Sequence, residues 1–148
     1  MNLLDVITLN ACYGDALDRF DLAAWQALFT PGAVYRAQAR ENFERGLPLA
    51  AIYLDGHGMM TDRITGIEKT LVFAPRFTRH VIGLPVVENS TARTPFIIVQ
   101  TVTTGLPEIL ATGCYHDTLA NTSDGIRFAA RNAVYDNALI PNSLVYPL

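Results

Sequence analysis

Concentrated charge is what this sequence most lacks. Charged side chains make up 17% of its 148 residues, the net charge is −3, and the 11 Lys and Arg are scattered rather than clustered. Nucleic acids and anionic membranes are bound through a dense positive field, so neither is an expected partner. No stretch approaches the ~20 consecutive apolar residues that a membrane span requires. The start, Met1-Asn2-Leu3-Leu4-Asp5, has neither the basic segment nor the long apolar core of a secretion signal, which makes a cytoplasmic location the expectation. Cysteine is nearly missing too. Cys12 and Cys114 lie far apart, and a reducing compartment keeps such a pair as thiols rather than a disulfide. There is no Gly-rich phosphate loop, no Gly-x-Ser-x-Gly elbow and no His-Glu-x-x-His pair, so nucleotide hydrolysis, serine-hydrolase chemistry and zinc proteolysis lose their usual sequence support.

What is abundant is apolar surface: half of the residues are hydrophobic. A chain of this length is expected to form one domain, residues 1–148, around a single core. So lean a share of charge also suggests that part of the apolar surface faces another subunit.

The first third reads as helical. Asn2 caps a helix whose Leu3, Ile7, Ala11, Gly14 and Leu17 recur at spacings of three and four, ending near Arg19-Phe20. Asp21 caps a second, Leu22 to Phe29, stopped by Thr30-Pro31-Gly32. A strand over Ala33 to Ala39 and a polar loop over Arg40 to Arg45 follow. Met60, Ile64, Ile67 and Leu71 then mark an amphipathic helix over Gly58 to Leu71.

The second half is rich in β-branched and aromatic residues. It divides into strands over Phe77 to Glu88, Pro95 to Thr104, Glu108 to Ala120 and Ile126 to Tyr135, separated by short turns. Short links force antiparallel neighbours. Helices followed by a meander of long strands make an α+β domain with the helices on one face of a curved, mainly antiparallel sheet.

Candidates for chemistry are few. Cys114-Tyr115-His116 is half of a Rieske iron–sulfur pattern, without the other half. The two histidines and a carboxylate of a mononuclear iron site would have to come from His57, His80 and His116 with Asp55, Asp62, Asp117 or Asp136. No pair of these has helical ligand spacing, and the neighbours His116 and Asp117 point to opposite faces of a strand. The remaining possibility is acid–base chemistry inside a cavity, with His80 or His116 as the base and Asp15 of the first helix as its orienting carboxylate; Tyr13, Tyr35 and Tyr53 are available to polarise a carbonyl. A lone histidine among aliphatic neighbours is more often a satisfied core residue.

The order of elements resembles the cone-shaped NTF2-like (cystatin-like, SnoaL-like) fold. The local sequence narrows this further. Arg40-Glu41-Asn42-Phe43-Glu44-Arg45-Gly46-Leu47-Pro48, Gly58-Met59-Met60-Thr61-Asp62-Arg63-Ile64, Arg79-His80 and the tail Asp136 to Pro141 resemble the β (small) subunits of Rieske-type aromatic-ring-hydroxylating dioxygenases. The flavour is that of subunits serving carboxylated rings such as salicylate, anthranilate or terephthalate. The resemblance implies a noncatalytic chain with no cofactor of its own, supporting a catalytic α subunit that holds the Rieske [2Fe–2S] cluster and the mononuclear Fe(II), in an α3β3 assembly whose β chains associate as a trimer. It also implies that the signature residues Arg40, Glu41, Asn42, Arg45, Asp62 and Arg63, with Ile140 and Tyr146 of the tail, are interface candidates. A freestanding cavity enzyme of the same fold, a dehydratase, isomerase or cyclase using Asp15, His80 and His116, is the alternative, and a noncatalytic small-ligand binder comes third.

Overall fold

The computed structural model describes residues 2–72, 75–140 and 144–148. The chain runs through α1 (Leu3–Asp18), α2 (Leu22–Ala27), β1 (Phe29–Ala39), α3 (Arg40–Glu44), β2 (Ile52–Asp55), α4 (Gly56–Thr70), β3 (Arg76–Ile82), β4 (Val86–Glu88), β5 (Thr91–Val102), β6 (Glu108–Thr122) and β7 (Gly125–Tyr135). The strands form one sheet in the order β2-β1-β7-β6-β5-β3, with β4 added on β5. The β1–β7 pair is parallel and every other pair antiparallel. This is the expected α+β cone, with helices laid against the concave side of a curved, mainly antiparallel sheet.

Both predicted caps are present. The Asn2 side chain accepts a 3.2 Å bond from the Leu4 amide, and the Asp21 carboxylate a 2.9 Å bond from Ala24. Such caps satisfy amide donors that a helix leaves unpaired at its start. The buried face of α1 differs from the predicted stripe. Val6, Leu9, Asn10, Tyr13, Ala16 and Leu17 face inward, whereas Leu3 is half exposed and Ala11 is exposed. This helix is apolar around most of its circumference, so spacing alone selects no face. The choice is made by Asn10 and Tyr13, whose polar atoms find partners inside the cone.

Three boundaries also move. The second helix stops at Ala27, and Phe29 already begins β1, where Thr30-Pro31-Gly32 forms an irregularity that shifts the β1–β7 register between Phe29 and Val34. The polar segment expected to loop from Arg40 is mostly helical, as α3. The long strand predicted from Phe77 breaks at Gly83-Leu84-Pro85 into β3 and β4. Met60 and Ile67 of α4 are buried as predicted, with Ile64 and Leu71 packed at the edge of the core.

Helix α1 crosses β3 at Gly14. A Cβ there would sit 3.2 Å from both His80 Cβ and Ile82 Cδ1, so the glycine allows a close approach that brings the end of α1 to His80. The tail returns to the same place: Ile140, Leu144, Val145 and Tyr146 pack against the core, and Leu148 is buried within it. Pro141, the last residue of the tail segment that carries the resemblance, lies outside the described residues.

Candidate functional site

The deep end of the cone is filled by a cation. Arg131 and Asp117, register partners on β7 and β6, are joined by 2.8 Å bonds from Nε and Nη2 to the two carboxylate oxygens, and neither side chain reaches solvent. Nη2 also donates to Asn10 Oδ1, and Asn10 Nδ2 donates to Thr94 Oγ1 at 3.4 Å. The guanidinium carbon lies 4.1 Å from the ring centre of Tyr13, 4.0 Å from that of Tyr115 and 3.9 Å from that of Phe128. Burial alone would favour loss of this charge, but the Asp117 carboxylate outweighs it and holds Arg131 protonated. The rings add cation–π attraction. The arrangement leaves the guanidinium enclosed, with no open side for a substrate.

Nearer the mouth, His80 of β3 meets Asp18 at the end of α1. The imidazole Nδ1 is 2.6 Å from Asp18 Oδ1, and the His80 backbone N–H donates to both carboxylate oxygens at 3.2 and 3.1 Å. Burial pushes the Asp18 carboxyl up, but these bonds from His80 prevail and leave it below its ordinary value. The Nδ1 contact fixes the ring's orientation, and the buried Nε2 has no hydrogen-bond partner among the described residues. An imidazole oriented by a carboxylate is the unit a general base requires.

Space limits what this unit can do. His80 lines a cavity of ≈30 Å³ together with Leu17, Phe20, Ile98, Leu110 and residues of the tail. That holds a water or two, against the ~300–1,000 Å³ typical of a small-molecule pocket. The rest of the mouth is occupied by residues 144–148. Tyr13 donates a 2.5 Å bond to the Leu148 main-chain oxygen, Tyr35 accepts a 2.8 Å bond from the Leu148 amide and lies 3.3 Å from the same oxygen, and Tyr146 packs on Phe20 with ring centres 5.1 Å apart. Burial raises the hydroxyl pKa of both Tyr13 and Tyr35, keeping them neutral donors.

The other sequence candidates are dispersed. Asp15, expected to orient a histidine, is exposed and pairs with Arg19 at 2.9 Å; one turn on, Asp18 takes the position at His80. His116 cannot share a cavity with His80. Strand alternation sends Tyr115 and Asp117 inward and His116 outward, where its ring lies 4.5 Å from that of Phe43 on α3. Burial lowers its pKa. Tyr53 is exposed, with Arg36 over its ring. His57 contacts the Phe29 carbonyl oxygen at 3.2 Å. Among the described residues, no three His, Cys, Asp or Glu side chains stand close enough together to hold a metal ion.

The charged signature lies on the surface. Arg40 bridges Glu44 at 2.8 Å and Asp136 at 3.2 Å, and Arg45 pairs with Glu41 at 3.1 Å, all on the exposed flank of α3 beside the half-buried Asn42. Asp62 and Arg63 line a groove between β2 and α4 with Tyr53, Met59 and Val145. Of the two tail candidates, Tyr146 packs on its own domain through Phe20, and Ile140 lines the cone's mouth. A larger apolar surface, unread in the sequence, spans the outer face of the sheet. Phe77 and Val81 of β3, Ile97 of β5 and Ile109 of β6 are each 41–63% exposed, and Val81 and Ile97 are direct register partners. Asp18 and Arg131 were also unread, and Asp117, considered from the sequence as a carboxylate for an iron site, instead pairs with Arg131. The signal for Asp117 was its parity, two residues from both Tyr115 and Leu119.

The family model described as a SnoaL-like domain matches residues 3–132. The chain is 28% identical over 153 residues to the terephthalate 1,2-dioxygenase terminal oxygenase component subunit beta 1 of Comamonas sp., covering 100% of this chain and 99% of that one. It is 26% identical over 149 residues to the anthranilate 1,2-dioxygenase small subunit of Burkholderia cepacia, covering 97% and 92%. A crystal structure assigned to the beta subunit of an aromatic-ring-hydroxylating dioxygenase of Novosphingobium aromaticivorans superimposes with a TM-score of 0.88 at 32% identity, covering 99% of this chain and 96% of that one.

Proposed function

Because the chain belongs to the SnoaL-like family, and within it to the small (β) subunits of aromatic-ring-hydroxylating dioxygenases, we propose that its role in that oxygenase is assembly and stability. Residues 1–148 act as one domain, in the cytoplasm, supporting a large α subunit. That subunit holds the Rieske [2Fe–2S] cluster and the mononuclear Fe(II), receives electrons from NAD(P)H through a reductase, and binds O₂ and the ring. The terephthalate and anthranilate relatives favour a carboxylated aromatic substrate. The assembly is α3β3, with the β chains forming a trimer.

The observation that carries this reading is the closed cone. Its depth is filled by Arg131 in an aromatic cage, and its mouth by residues 144–148, leaving ≈30 Å³ beside His80. A freestanding dehydratase, isomerase or cyclase needs room for its substrate there. The outer sheet face around Phe77, Val81, Ile97 and Ile109 supplies apolar area of the kind that subunit contacts bury, at about 25 cal/mol per Å² before association costs. The exposed ion pairs of α3 and the charged side chains of Asp62 and Arg63 in the α4 groove set register at such contacts more than they add affinity.

Reconstitution tests the division of labour. Oxygen uptake with a carboxylated aromatic substrate and a reductase is expected from the large subunit combined with this chain, and none from this chain alone. Turnover by this chain without a large subunit would overturn the proposal.

A further inference from the structure

The outer face of the sheet, opposite the cone, carries a hollow of its own. Two adjacent cross-strand rows make its floor: Arg93 of β5 beside His116 of β6, and Pro95 of β5 beside Cys114 of β6 and Val134 of β7. Helix α3 forms one wall, with the Phe43 ring 4.5 Å from that of His116. Val86 of β4, the register partner of Arg93, forms the other. The hollow measures ≈510 Å³, within the ~300–1,000 Å³ typical of a small-molecule pocket and far above the ≈30 Å³ beside His80.

Charge in this hollow is unevenly paired. Arg40 bridges Glu44 at 2.8 Å and Asp136 at 3.2 Å, so that cation is already committed. Arg93 is held far less closely. Its ion-pair partner among the described residues, Glu88, stands 4.0 Å away, and both side chains are largely exposed, where such a pair adds little. Burial lowers the pKa of the His116 imidazole and raises that of the Cys114 thiol, so both are uncharged at neutral pH. His116 stacks on Phe43 but makes no hydrogen bond among the described residues.

We propose that the outer hollow binds an aromatic monocarboxylate, its ring against Phe43 and His116 and its carboxylate on Arg93. A guanidinium takes a carboxylate through two parallel N–H···O bonds, a closer fit than the 4.0 Å contact it would replace. A planar ring suits the lining: Phe43 and the neutral imidazole offer aromatic packing, and Val86, Pro95 and Val134 supply apolar contact. One carboxylate is the limit, because Glu44 and Asp136 line the same hollow and repel a second anionic group. The imidazole N–H of His116 is free to donate to the ligand. This site lies across the sheet from His80 and does not rest on the assembly role.

The probe is benzoate, added to the full chain and followed by amide NMR. Saturable shifts are expected at Arg93, Thr94 and residues 113–116, with a Kd on the order of 1 mM or tighter, while the amides of Thr78, His80 and Ile98 on the cone side keep their positions. Benzamide, which has the ring without the charge, and acetate, which has the charge without the ring, should each bind at least tenfold more weakly. Full-length Arg93→Gln should lose at least tenfold in benzoate affinity. Equal benzoate affinity in a folded Arg93→Gln chain, acetate or benzamide bound as tightly as benzoate, or shifts confined to the cone side would overturn the proposal. If Arg93→Gln does not fold, the three probes on the unaltered chain decide alone. No readout requires a large subunit, so failure here leaves the assembly role intact.

Discussion

Asp117 and Arg131 face each other across the β6–β7 ladder and share two 2.8 Å bonds at a point where neither side chain touches water. Their value lies in being paired. Removing one partner from a buried ion pair strands the other charge, at a cost of about 3–5 kcal/mol, whereas replacing both with well-packed apolar residues is often neutral. Asp117→Ala is therefore expected to lose about 3–5 kcal/mol of unfolding free energy in urea titration. The double variant Asp117→Leu with Arg131→Met should lie nearer the unaltered chain. A loss below about 1 kcal/mol for the single change would mean that the aromatic cage alone stabilises the cation.

Two glycines should respond in opposite directions. A Cβ on Gly113 of β6 would lie 2.0 Å from the Val134 carbonyl oxygen and 2.9 Å from Phe96 Cζ, so Gly113→Ala must push strands apart. A loss of at least about 1–3 kcal/mol, the range for overpacking, is expected. A Cβ on Gly66 of α4 meets nothing within 4 Å. Gly66→Ala should instead stabilise by roughly 0.4–1 kcal/mol through a less flexible unfolded chain. Thermal unfolding of the two variants side by side gives the comparison.

Stability should fall at both pH extremes for separate reasons. The Asp18 carboxyl is held below its ordinary 3.8 in the folded chain by His80, so its contribution is fully present above that value and is lost as pH drops through the lowered one. At the alkaline end, burial raises Tyr13, Tyr35 and Tyr115 above their ordinary 10.0. The folded chain then retains protons that the unfolded chain releases, and stability declines as pH climbs past 10. Asp18→Asn should flatten the acid limb of the stability profile and leave the alkaline limb unchanged. Tyrosinate absorbance from these three residues should appear together with unfolding, not before it.

The outer sheet face gives a prediction about assembly. Val81→Lys with Ile97→Lys places two charges on an exposed register pair, so each chain should keep its fold. The native mass of the assembly should fall, as seen by size exclusion with light scattering. Charge reversal at Arg63 tests the α4 groove in the same way: an intact assembly would remove that residue from the contact.

Element types were legible because local chemistry agreed with the fold: the Asn2 and Asp21 caps, the Met60–Ile67 stripe and the turn residues around Asp124 all behave as their types dictate. The face of α1 was not legible, since its apolar residues surround the helix and the selection is made by Asn10 and Tyr13 reaching partners more than 80 residues away. The same non-locality hid the site. Asp15 and Asp18 are equally good carboxylates in sequence, and only the crossing of α1 over β3 at Gly14 decides that Asp18 meets His80. Strand parity already set Asp117 on the face opposite His116, but its partner Arg131 lies 14 residues on in the next strand, and only the β6–β7 register brings the two together. The family resemblance survived these errors because it rests on whole segments rather than on a single side chain's direction.

The central claim is that this chain works as the small subunit of an iron oxygenase. It is tested most directly by purifying the chain under native conditions from its host and recording the mass of the complex together with its iron and acid-labile sulfide. The account predicts an iron–sulfur complex containing an equimolar larger chain, with a mass matching three copies of each. An iron-free assembly of this chain with no larger partner would contradict it.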